Sequence, residues 1–139
     1  MSVDVVKEAE RIVSSLDRHP KDKSKILLTT SQLRKFLAAV NGIENRFEVW
    51  RSQVGEDGQE DKSGTLPPEL VNDIKFLKVK LVYQAGREKN RKGPINGFIE
   101  KSKILERIDA IGNDAARFQE FARLVEAIVA YHKFQGGGD

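Results

Sequence analysis

The chain is 139 residues long, 39% apolar and 32% charged, with a net charge of +3 and no cysteine. That length suits one hydrophobic core, and the absence of thiols excludes disulfides, thiolate nucleophiles and cysteine metal sites. The opening MSVDVVKEAERIV mixes acids into its apolar residues and has no leading basic run, unlike a secretory signal. No apolar run approaches the ~20 residues that cross a bilayer, so a cytoplasmic protein without membrane contact is expected.

In chain order, residues 3–18 read as an amphipathic helix with Val6, Ala9, Val13 and Leu16 on its inner side. Pro20 ends it, and His19 reads as an exposed loop histidine because no partner stands at ligand spacing. Thr29 and Gln32 have capping-box spacing, with Leu28 and Leu33 as the hydrophobic staple. Leu33, Phe36/Leu37, Val40, Ile43, Phe47 and Trp50 then hold helical period, leaving Arg34, Lys35, Arg46 and Arg51 off the apolar stripe. Residues 52–66 read as an acidic surface loop that lacks the ligand alternation of a calcium loop. Pro67-Pro68-Glu69 suits the first turn of a third helix, running to about Glu88. A fourth helix is expected over 95–111 and a fifth over 114–134, with 135–139 as a disordered tail. No stretch alternates with period two, so the expected fold is all-α, a single-domain bundle of about five helices over 1–139.

The third helix carries two faces. Ile74, Leu77, Leu81 and Ala85 form a core stripe, while Phe76, Lys80, Tyr83 and Arg87 form a neighbouring one, with Lys75 and Lys78 beside it. Residues 75–92 hold seven Lys/Arg against Glu88 alone, a local +6, so the rest of the chain sums to −3. A basic face interleaved with aromatics matches a sugar-phosphate backbone. Lys75, Lys78, Arg91 and Lys92 are candidate phosphate contacts on this ground alone. Tyr83 has two readings, a core tyrosine with a bonded hydroxyl (the commoner fate) or a platform for base stacking, and Phe76 reads as core.

Catalytic chemistry finds little support. Glu126 and His132 share the last helix but stand six residues apart, pointing to different sides. A metal centre would need three or four convergent ligands, the serines lack a nucleophile-elbow context, and the glycines do not form a P-loop. No catalytic residue, metal or cofactor is expected.

Three stretches, TTSQLRKFL at 29–37, KLVYQAGR at 80–87 and FARLVEAIVAYHKFQGG at 121–137, together resemble the small subunit of type III-A CRISPR effector complexes, the all-helical protein of the Csm ribonucleoprotein. The resemblance covers about residues 29–137, and EAIVAYHKF is its most specific phrase. It implies a non-catalytic protein that stacks in a filament with other subunits of the complex and holds guide RNA and target RNA, the cleavage reactions belonging to other subunits. Arg34, Lys80, Tyr83 and Arg87 match family motif positions and become candidate RNA contacts beside those named above. Self-association, as a dimer or by filament stacking, is expected on the same basis. The competing expectation is a helical protein–protein interaction module, with an acidic partner or a second copy and no nucleic acid.

Overall fold

The computed structural model describes residues 4–56, 64–88 and 93–138. Among these the fold is all-α, with helices α1 (Val5–Ser15), α2 (Thr30–Glu56), α3 (Pro68–Gly86), α4 (Pro94–Ser102), α5 (Ile104–Ile111) and α6 (Ala115–Phe134). The described residues contain no strand, only isolated bridges. No helix among them is long and apolar enough to cross a membrane.

α6 is the central element, packed against α1, α2 and α5. Its Phe118, Phe121, Leu124, Val125 and Ile128 recur at helical spacing and are buried. Phe36 of α2 meets Phe121 and Phe98 edge-on with centroids 6.4 and 6.5 Å apart, and Phe47 meets Phe118 at 5.6 Å. These are favoured aromatic geometries and fix how α2 lies on α6. The capping box forms as expected: Gln32 N donates to Thr29 Oγ1 (3.2 Å) and Thr29 N to Gln32 Oε1 (3.0 Å), with Leu28 and Leu33 buried. Glu8 accepts from Arg107 at 2.6 Å, tying α1 to α5, and also pairs with Arg11. Those guanidiniums, Arg11 first, hold its carboxyl below the usual range.

Several expectations are corrected. The helix expected over 95–111 is two helices, because Lys103 adopts a left-handed conformation (φ 55, ψ 37). Buried Ser102 stabilises the break: its hydroxyl donates to Phe98 O (2.6 Å) and accepts from Ile104 N (3.1 Å). Along α1, Val5 packs on the core while Val6 is 51% exposed, and Ile12 joins the buried stripe. The acidic loop is shorter at both ends, since α2 continues to Glu56 and Leu66 is buried with its N–H on Asn113 O (2.7 Å). Residues 57–63 lie outside the described residues.

The expected disordered tail is bonded through Gly138. Ile26 N donates to Gly136 O (3.3 Å), Thr30 N to Gly138 O (2.8 Å) and Arg18 Nη1 to Gln135 O (2.7 Å). Composition suggested a floppy glycine run. Glycine is needed here because Gly136 has φ 113 and a Cβ there would collide with the Ser24 carbonyl, while a Cβ on Gly137 would enter the His132 ring.

Candidate nucleic-acid interface

α3 buries Leu70, Ile74, Leu77, Leu81 and Ala85. Residues advance about 100° each around a helix, so Phe76, Val79 and Tyr83 fall on the side away from that row. Phe76 is 54% and Tyr83 64% exposed, which corrects the core readings of both. The aliphatic row already fills the inward face, and phase outweighs aromatic character. Arg87 places its guanidinium carbon 5.8 Å from the centroid of the Tyr83 ring, within cation–π range. α3 therefore presents a stacked aromatic–guanidinium pair to solvent.

The candidate cations separate into groups. Lys80 and Arg87 are exposed beside Tyr83. Lys75 is exposed about 100° away from Phe76, round the helix axis. Lys78 is half-buried, its Nζ 2.7 Å from Asp109 Oδ1 of α5, and is already engaged. Arg34 is exposed on α2, but its neighbour Lys35 lines the groove between α2 and α3. The two lie about 100° apart around α2, so Lys35 rather than Arg34 joins Lys80 at that groove. Arg34 and Lys35 both lie off the apolar stripe of α2, and only the docking of α3 distinguishes these adjacent cations. Arg91 and Lys92 lie outside the described residues.

Two acids near this face are committed elsewhere. Asp73 accepts from Arg46 Nε at 3.1 Å across α2 and α3. Glu88, the one acid of the basic stretch, accepts from Ile95 N (2.8 Å), Asn96 N (3.1 Å) and Asn96 Nδ2 (2.8 Å). It thereby satisfies first-turn amides of α4, where a negative charge also suits the helix dipole. Between α2 and α3 lies a groove of about 200 Å3, with Phe36, Ala39, Leu81 and Ile95 among its walls. A larger cleft of about 600 Å3 is elsewhere, where Arg107 and Arg117 alternate with Asp114 and Glu120. That mixed lining does not select a polyanion.

His132 and Glu126 are not brought together. His132 is buried with Nε2 2.6 Å from Leu28 O, while Glu126 is exposed. Burial pushes the imidazole pKa down, opposed by the Leu28 bond and aided by Lys133. Glu44 of α2 is pushed up, by burial first and then by Glu126 and Glu48. The described residues contain no group of three or more His, Asp or Glu placed to hold a metal ion.

A family profile described as Csm2 Type III-A matches residues 4–138. The protein named CRISPR system Cms protein Csm2 of Streptococcus thermophilus is 40% identical over 134 residues, covering 96% of this chain and 93% of its own. The protein of the same name from Mycobacterium tuberculosis is 33% identical over 131 residues, covering 94% and 90%. That of Enterococcus italicus is 32% identical over 114 residues, covering 81% and 71%. With the profile and these relatives running nearly end to end along an all-α chain, the protein belongs to the Csm2 family, the small subunit of type III-A CRISPR systems.

Proposed function

We propose that this chain is a cytoplasmic, non-catalytic subunit of a type III-A effector complex that holds guide and target RNA by their backbones. The observation that carries the reading is the exposed set Lys35, Lys80 and Arg87, gathered around Tyr83 where α2 meets α3, with Asp73 paired to Arg46 and Glu88 hydrogen-bonded to the first-turn amides of α4. Cations on phosphates carry no sequence information, which suits a protein that must accept any guide and target. The exposed apolar side chains of Phe76, Val79 and Val82 on the same helix support a second contact, with another copy or a neighbouring subunit in a filament.

The test is fluorescence anisotropy of two labelled single-stranded RNAs of unrelated sequence, with poly-glutamate as an acidic protein competitor. Equal, salt-sensitive affinity for both RNAs, weakened in a Lys80→Ala/Arg87→Ala variant of unchanged circular dichroism, is the expected result. No measurable binding of either RNA, with salt-sensitive binding of labelled poly-glutamate in its place, would transfer the face to an acidic protein partner.

A further inference from the structure

We propose that the groove between α2 and α3 is a pocket for one unpaired base of an RNA strand, with Lys35 and Lys80 holding the phosphates on either side; this rests on reading α3 as the RNA-facing helix. The groove holds about 200 Å3, roughly seven waters at ~30 Å3 each and below the ~300–1,000 Å3 of drug-sized sites. A flat heteroaromatic ring is an occupant of that scale. Its walls are apolar, Phe36, Ala39, Leu81 and Ile95, as the faces of a base require. Lys35 and Lys80 line it from opposite helices, so a base seated between them carries its own phosphates to the ammonium groups. That charge complementarity selects a nucleotide over an uncharged apolar ligand.

Tyr83 also lines the groove. With Arg87 over its ring, it supplies a second stacking surface for the next base along the strand. Gln84 is also at the lining. Its amide both donates and accepts, so it can meet base edges of either polarity and need not choose among sequences. The pocket would thus fix where a strand leaves its stack without reading which base it is.

The test uses the full chain in two arms. Backbone amide NMR shifts are followed with AMP, UMP and ribose 5-phosphate, and anisotropy compares a ten-nucleotide RNA with a base-free ribose–phosphate oligomer of equal length. Saturable shifts at residues 32–39 and 80–84 are expected with both nucleotides and not with ribose 5-phosphate, together with about tenfold tighter binding of intact over base-free RNA. Ala39→Leu, which fills the groove without changing charge, should abolish both differences. Tyr83→Ala, at an exposed position, should reduce the preference for intact RNA and guards against misfolding of the first variant.

Equal salt-sensitive binding of intact and base-free RNA would overturn the pocket and leave the backbone reading standing. Base-dependent binding that Ala39→Leu removes, but that ignores salt, would keep the base in the groove and overturn both its lysine–phosphate contacts and the backbone reading. Nucleotide shifts without any preference for intact RNA would make this a mononucleotide site and overturn the proposal. No binding in either arm overturns both readings.

Discussion

Lys78 and Lys80 stand two residues apart in a basic run, and only one of them should matter to RNA. Lys78 is paired with Asp109 at 2.7 Å, its side chain 34% exposed, whereas Lys80 lines the groove with Lys35. On single strands the slope of log affinity against log salt is about −0.7 per phosphate neutralised, so Lys35, Lys80 and Arg87 together should give about −2. Raising salt from ~50 to ~200 mM would then weaken binding about twentyfold, and Lys80→Ala would reduce that factor to about sevenfold. Lys78→Ala should leave the slope unchanged and move affinity much less than Lys80→Ala does, since the Lys78 charge is already paired with Asp109. Anisotropy titrations of one RNA across that salt range, with Lys7→Ala as a distant control, measure all three. Equal slope changes for Lys78→Ala and Lys80→Ala, or for Lys7→Ala and Lys80→Ala, would refute the assignment.

Three further outcomes concern the fold. Lys103→Gly should stabilise the protein by up to about 1 kcal/mol in thermal unfolding, because glycine enters the left-handed region without the Cβ penalty; Lys103→Val should destabilise it. Gly136→Ala combines a positive φ with a clash on the Ser24 carbonyl and should cost about 2 kcal/mol or more in denaturant unfolding; wild-type stability would mean that the tail is not docked. His132 is pushed below 6.5, chiefly by burial, so the unfolded chain takes its proton at higher pH than the folded one. Its contribution is full above about pH 6.5 and is lost as pH falls from there toward the lowered value, by about 1.4 kcal/mol for each pH unit separating the two. Unfolding midpoints at pH 8 and 5.5 should differ more in the wild type than in His132→Asn, even though that variant also loses the Leu28 bond.

Properties carried within one helix are legible in the residues alone. The period of Ile74, Leu77, Leu81 and Ala85 set the inward face of α3, and Thr29 with Gln32 marked the start of α2. The phrases at 29–37, 80–87 and 121–137 were enough to suggest the family. Phase was readable as well: counted at ~100° per residue it places Phe76 and Tyr83 outside, and aromatic character was the misleading cue. The tertiary structure alone decided which charges remain available. Lys78 is taken by a carboxylate 31 positions later, Glu88 is bound to the first-turn amides of α4, and Lys35 replaces Arg34 at the groove because α3 docks along one edge of α2 and not the other. It alone seated the glycine tail over His132 and Ser24. Periodicity is set by the geometry of one helix, but a salt bridge, a groove or a docked tail forms only where packing brings distant segments within a few ångströms.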